Sequence, residues 1–239
     1  MPQLSVNLNK VALLRNARTL GIPSVIDAAR TCINAGASGI TVHPRPDERH
    51  IRTSDVHELA EMVSVEFNIE GNPFPEFMHL VRAVRPTQCT LVPDSPGQLT
   101  SDHGWDIPRQ SSRLKPIIAQ LKDLGIRVSL FMDPDISQME QVAALGADRI
   151  ELYTEPYAAA YGSAKGAEIL ERYAQAAAKA QSCGLGVNAG HDLNLENLPN
   201  FCTIPDILEC SIGHALIADA LWLGLDEAVK RYNIACGNG

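Results

Sequence analysis

The sequence predicts a (β/α)8 barrel with extra helices, and three observations carry that expectation. Eight short apolar runs recur about 20–40 residues apart along the chain. Helical patterns fill the intervals, and several end in a glycine stop: Ala35-Gly36-Ala37, Leu124-Gly125-Ile126, Leu145-Gly146-Ala147 and Cys183-Gly184-Leu185. A glycine just past the last turn takes up the left-handed conformation that terminates a helix. The chain has 239 residues, close to the roughly 250 typical of one such barrel. A doubly wound open sheet is the alternative arrangement of the same units.

The candidate strands cover 4–7, 39–43, 66–70, 89–93, 127–132, 149–153, 186–188 and 207–212. They read as continuous apolar runs, as expected when both faces of a parallel sheet are covered. Candidate helices cover 25–35, 55–65, 76–84, 113–124, 136–145, 166–182 and 214–232. The last extends through 213–234 at most, with apolar positions available to an oligomer interface. Two stretches exceed what a minimal barrel needs, 72–77 and 93–113. The second is rich in Ser, Gly, Asp and Pro and is expected to be a mobile loop over the mouth. With no linker, repeat or low-complexity tract, residues 1–239 are expected to form a single domain.

Hydrophobic residues make up 45% of the chain, ample for a core, and aromatics only 5%. The net charge of −8 argues against nucleic-acid partners, because neutralising phosphates needs surplus Lys and Arg. A phosphorylated metabolite remains compatible if the few cations are concentrated. The start of the chain has no basic, apolar leader pattern, and no stretch approaches the roughly 20 apolar residues of a membrane span. The six cysteines form no CxxC pair and most lie in apolar segments, as reduced core thiols do. The expectation is a cytoplasmic protein with no membrane partner.

In a βα barrel, chemistry sits at the C-terminal ends of the strands. There the sequence places Asn7, His43, Glu70, Asp94, Asp133, Glu151 with Tyr153, His191 and His214. Three of seven histidines thus converge on one mouth. In Gly39-Ile-Thr-Val-His-Pro-Arg-Pro-Asp-Glu-Arg-His50, the cationic candidates His43, Arg45, Arg49 and His50 leave one strand end, stiffened by Pro44 and Pro46. Such a set suits an anion held beside an acid/base histidine. Glu70, in an alternating strand before Gly71, is a carboxylate whose partial burial would raise its pKa for proton transfer; an ion pair with a strand-end cation is the other reading. His191 follows small residues that let a substrate approach, and suits a general acid. Gly213-His214 opens the last helix, where exposed amides favour phosphate; His214 either binds the anion or caps the helix.

No HxH, HExxH or paired-Asp motif supports a metal at this mouth, and neighbouring Arg18, Arg45 and Arg49 would repel one. No GxSxG or Cys/His signature supports a nucleophile. Lys10, in the loop after strand 1, is the one lysine placed near the mouth, where a Schiff-base role is open.

The segments Val6–Arg18, Gly39–Ile51, Asn68-Ile69-Glu70, Leu91-Val92-Pro93, Val187-Asn-Ala-Gly-His191 and Ile212-Gly213-His214-Ala215 together resemble the pyridoxine 5′-phosphate synthase family, in order over nearly the whole chain. The resemblance implies a (β/α)8 barrel that condenses 1-deoxy-D-xylulose 5-phosphate with 3-amino-2-oxopropyl phosphate. Products would be pyridoxine 5′-phosphate, inorganic phosphate and water, formed without cofactor or metal. By motif, His43 and Glu70 match proton acceptors and His191 the proton donor. Arg45, His50 and Thr100 match positions holding the deoxyxylulose phosphate, and Asn9-Lys10 stand at positions contacting it. Asn7, Arg18, Gly213 and His214 match positions contacting the aminoketone phosphate or product. The resemblance further implies a homo-oligomer, an octamer, with Arg18 reaching a neighbouring subunit's site. Two departures stand out: Asn9-Lys10 replaces an Asp-His common in the family, and Asp192 replaces a common glycine. The rival readings are a phosphosugar isomerase or aldolase, and a silent barrel binding a phosphometabolite.

Overall fold

A computed structural model describes residues 1–238. Eight strands, β1 (Gln3–Asn7), β2 (Gly39–Val42), β3 (Glu66–Gly71), β4 (Gln88–Leu91), β5 (Arg127–Met132), β6 (Arg149–Tyr153), β7 (Gly186–Gly190) and β8 (Ile207–Ile212), pair in sequence order into a closed barrel. Every pairing is parallel, including β8 back onto β1 with Cys210 opposite Leu4. The closed barrel, not the open sheet, is therefore the architecture.

Around it lie α1 (Asn9–Asn16), α2 (Val25–Asn34), α3 (Thr53–Met62), α4 (Pro75–Val84), α5 (Ile107–Asp123), α6 (Met139–Ala144), α7 (Glu155–Ala160), α8 (Gly166–Ser182), α9 (Leu198–Phe201), α10 (His214–Leu223) and α11 (Leu225–Ala235). Among the described residues, no helix is long and apolar enough to cross a membrane.

Four features differ from the sequence expectation, each for a local reason. Lys10 lies in α1, not in a loop; that helix is too short and too polar at its start to show a period. The helix expected from 113 begins at Ile107, because the Asp106 carboxylate accepts from Arg109 N and Pro108 sits in the first turn, where its missing N–H costs nothing. The connection before it is correspondingly shorter, and it is tied down by buried Trp105, whose Nε1 donates to Leu91 O at 2.8 Å. The expected long C-terminal helix breaks into α10 and α11 at Gly224, whose φ of 80° and ψ of 150° lie where only glycine is comfortable.

The fourth difference concerns the strands, which alternate. Leu4, Val6, Ile40, Val42, Ile69, Leu91, Val128, Leu130, Ile150, Leu152 and Val187 point outward and are fully buried under the helices. Each contributes roughly 1.5–3 kcal/mol by leaving water. The lumen is polar instead: Ser5 bonds Thr41 at 2.7 Å, Asn68 bonds Thr41 and Thr90, and Asn188 reaches across to Gln88 at 3.4 Å. Inside and outside both being buried, composition alone reads the strands as apolar, whereas their period of two carries the distinction.

Candidate active site

Three strand ends are laced together before any substrate arrives. Asn7, closing β1, accepts from Asn9 N at 3.0 Å and donates from Nδ2 to Glu70 Oε2 at 3.4 Å. Asn9 Oδ1 accepts from His43 N at 2.9 Å. His43 follows β2 directly, and its Nδ1 lies 3.9 Å from Glu70 Oε2, both side chains being buried. The two asparagines therefore fix the angle at which the imidazole faces the carboxyl group.

Burial sets the protonation of this pair. It pushes Glu70 up to about 8, helped by the negative charges of Glu209 and Asp94 and opposed by Arg45. It drives His43 well below the usual histidine range, with Arg45, His50, His191 and Arg49 adding in the same direction. Near neutral pH His43 is an uncharged imidazole able to take a proton, while Glu70 mostly holds one it can give up. The ion-pair reading of Glu70 does not describe this arrangement.

His50, buried at the end of the same loop, is brought down to about 4 by desolvation and then by Arg45, Lys10 and Arg49. Its Nδ1 accepts from Ile51 N at 2.9 Å, so the ring proton resides on Nε2, which remains a donor. Its ring lies 6.4 Å from that of His43.

Arg45 is buried and not free: it donates to Asp94 Oδ2 at 2.6 Å and to Gln98 O at 3.0 Å. Asp94 also accepts from Ser101 Oγ at 2.7 Å, and Asn72 Nδ2 donates to Asp94 O at 3.0 Å. Arg49 donates to Gln98 O and Pro96 O. In this state the arginines expected at an anion hold down the segment after β4. A cavity of about 800 Å³ opens beside them, lined among others by His43, Arg45, Asn72, Phe74 and Asp94.

On the far side of the mouth, His191 follows β7 with φ of 88°, and Asp192 follows with φ of 57°. Two consecutive left-handed residues cost energy unless held. Thr154 holds them: its single hydroxyl proton is shared between Gly190 O at 2.7 Å and His191 O at 2.5 Å. Asn197 adds a bond to Asp192 O at 3.2 Å. Aspartate is among the few residues besides glycine that tolerate this conformation. The imidazole packs edge-on to Phe131 and Tyr153, at 5.4 and 5.3 Å between centroids. Desolvation is the leading cause of its lowered pKa, with Asp192 and Asp94 pulling the other way.

Gly213 sits against Asn7: a methyl group added at its Cα would lie 3.1 Å from Asn7 Cβ. From there α10 starts with no side chain capping its amides, and His214 projects into solvent. His214 thus does not cap the helix. Lys10 and Asp192 are exposed, as is Thr100, whose carbonyl accepts from Gln98 Nε2 at 2.9 Å. Arg18 lies exposed beyond the end of α1 and is not part of the cluster within this chain.

The sequence placed Glu151 and Asp94 at the strand ends without giving them a role, and it did not place Asn72 there. Glu151 is buried directly beneath Gly190, where a Cβ would strike its Oε1. Burial, then the charge of Glu70, raises its pKa well above the carboxylate range. Its signal was a carboxylate inside a strand. Asp94 and Asn72 carry the Arg45 network, and only the structure shows their partner.

The family model described as "Pyridoxal phosphate biosynthesis protein PdxJ" matches residues 4–238. A pyridoxine 5′-phosphate synthase of Albidiferax ferrireducens is 58% identical over 240 residues, covering 96% of this chain and 95% of that protein. One from Porphyromonas gingivalis is 54% identical over 233 residues, covering 97% and 98%. Among solved structures, a phosphoribosylanthranilate isomerase of Thermotoga maritima superposes with a TM-score of 0.60 at 14% identity, covering 99% of this chain and 100% of that one. At that identity the likeness speaks to the barrel fold alone. A full-length family match and relatives above half identity, on a barrel whose mouth gathers His43, Glu70 and His191, place this chain in the PdxJ family of pyridoxal phosphate biosynthesis proteins.

Proposed function

We propose that this chain is a pyridoxine 5′-phosphate synthase that condenses 1-deoxy-D-xylulose 5-phosphate with 3-amino-2-oxopropyl phosphate by acid/base catalysis. The observation that carries the reading is the His43–Glu70 pair facing His191 across one mouth, in a chain whose relatives bear that name. Ring closure needs imine formation, proton shifts, dehydration and loss of phosphate, steps that make and break C–N, C–C and C–O bonds with the help of proton transfers and without a redox step. A placed acid or base contributes roughly 10²–10⁴-fold to each.

In this reading neutral His43 takes the first proton and Glu70 relays it to or from the condensing carbons. His191 supplies a proton to a leaving oxygen. Substrate phosphates add negative charge beside the histidines, which raises their pKa values towards those of useful acids. His50 Nε2–H, Lys10 and the uncapped start of α10 at Gly213-His214 are the anion contacts, with Thr100 closing over the deoxyxylulose phosphate. Arg45 joins them by exchanging its bond to Asp94 for one to phosphate. Asn7, Asn9 and Asp192 position backbone and substrate. The proposal extends to a cytoplasmic homo-octamer in which Arg18 completes a neighbour's site, supported by its exposure with Leu13, Leu14, Leu20 and Ile22 around it.

The test is an incubation of purified protein with both substrates, with and without EDTA, following pyridoxine 5′-phosphate and inorganic phosphate together. Equal appearance of both, indifferent to EDTA, is the expected result. Ligand binding without product would favour the silent barrel, and cleavage or isomerisation of the sugar phosphate alone would favour the aldolase or isomerase. Light scattering of the same sample checks the octamer.

A further inference from the structure

Away from the mouth, three cysteines far apart in sequence meet outside the barrel wall. Cys202 follows α9, Cys210 lies on the outer face of β8, and Cys236 follows α11. Their Sγ atoms all lie within 4.8 Å of one another. Cys210 and Cys236 are fully buried, whereas Cys202 is partly open to solvent. All three are free thiols. The cluster sits towards the end of the barrel opposite the catalytic residues: the chain after Cys236 returns to the start of β1, where Asn238 Nδ2 donates to Pro2 O at 2.6 Å.

We propose that Cys202, Cys210 and Cys236 form a structural zinc site, with three protein thiolates and a fourth position open to water on the Cys202 side. The spacing suits it: at a Zn–S length of about 2.3 Å, sulfurs at tetrahedral corners stand roughly 3.8 Å apart. Closing from within 4.8 Å needs sub-ångström movements, which small rotations about Cα–Cβ supply. A disulfide would use two of three equivalent sulfurs and strand the third, while one ion uses all of them. Thiolates select soft or borderline ions. Charge then chooses between them: three thiolates with Zn(II) leave one net negative charge, whereas Cu(I) would leave two in a largely buried place, at higher desolvation cost.

Metal entering at the partly exposed Cys202 displaces the three thiol protons, since only thiolates ligate, so uptake releases protons and strengthens as pH rises. Bound there, the ion ties the end of α11 and the turn after α9 to β8, and stabilises the folded chain by mass action without touching the chemistry at the mouth.

The experiment is a zinc titration of the whole reduced protein, stripped with chelator and kept anaerobic, against a competing chromophoric indicator. Cobalt(II) is the spectroscopic probe. One tight equivalent of zinc, an intense sulfur-to-cobalt charge-transfer band and a raised melting temperature are expected, with turnover unchanged. Cys202→Ser, at the partly exposed position, should fold and bind zinc more than about tenfold more weakly, since even outer-shell changes cost 10–100-fold. Cys183→Ser, remote in the chain and outside the triad, should bind as the parent does. Zinc binding unaltered by Cys202→Ser, absence of a tight equivalent, or a disulfide within the triad that forms without metal uptake would each overturn the proposal.

Discussion

At the lower end of the barrel Glu66 meets Arg127, Arg149 lies 3.6 Å from Glu209, and Lys122 bonds Asp148 at 2.7 Å. At the mouth, Glu70 is faced by a neutral imidazole at 3.9 Å and by an asparagine amide, with no arginine or lysine paired to it among the described residues. The same strands carry both arrangements, a few residues apart. Carboxylates at the lower end lie beside an arginine or a lysine, whereas at the mouth burial without a paired cation holds Glu70 protonated and His43 neutral. A group kept away from its ordinary pKa is a group poised to exchange a proton.

Four substitutions test that contrast. Glu70→Gln should have the largest effect, lowering turnover by roughly 10²–10⁴-fold while the fold persists. Its stability runs the other way. Glu70 titrates at 4.5 when unfolded and about 8 when folded, so between those values the unfolded chain releases its proton first and the parent loses stability as pH rises. The variant has no such loss, and melting curves on either side of that window should show its advantage growing with pH. A variant that unfolds at ordinary temperature would make Glu70 structural and erase the contrast.

His191→Ala should reduce turnover by about 10²-fold or more with an almost unchanged melting temperature, read by paired assays and thermal melts. At the other end, Arg127→Met should do the reverse, costing about 1–3 kcal/mol of stability by leaving Glu66 unpaired and sparing kcat. Denaturant titration with kinetics on the same preparation decides this; a large fall in kcat would mean the lower end also serves catalysis. The smallest effect is expected from Thr154→Val, about 1 kcal/mol in stability with a modest rise in KM, because it loosens the turn carrying His191 without touching the ring.

Much of this was legible in the sequence, and the exceptions are instructive. Strands 127–132, 149–153 and 207–212 have the boundaries that the apolar runs suggested. His43, Glu70 and His191 stand where a polar residue interrupts an apolar run, so their convergence follows from closing the barrel. The state of Arg45 was not legible, because its partner Asp94 lies 49 residues away and nothing local marks the pair. The polar lumen was hidden for another reason: Ser, Thr and Asn between Val and Ile dilute an apolar run without breaking it. The cysteine triad joins positions 202, 210 and 236, which share no spacing motif. Only the path of the chain after Gly224 brings the third sulfur home.

That glycine also settles a matter of length. Helix rises about 1.5 Å per residue and strand about 3.3 Å, so the six residues of β8 span about 20 Å. Residues 214–235 wound as one rod would run to about 33 Å and overhang the barrel by more than two helical turns. Folding the rod at Gly224 converts that overhang into a second layer, and buried Val229 and Tyr232 become part of the wall. A residue with a Cβ at 224 would strain the turn that makes this fold-back, so the compactness of this end rests on a backbone conformation that glycine adopts freely.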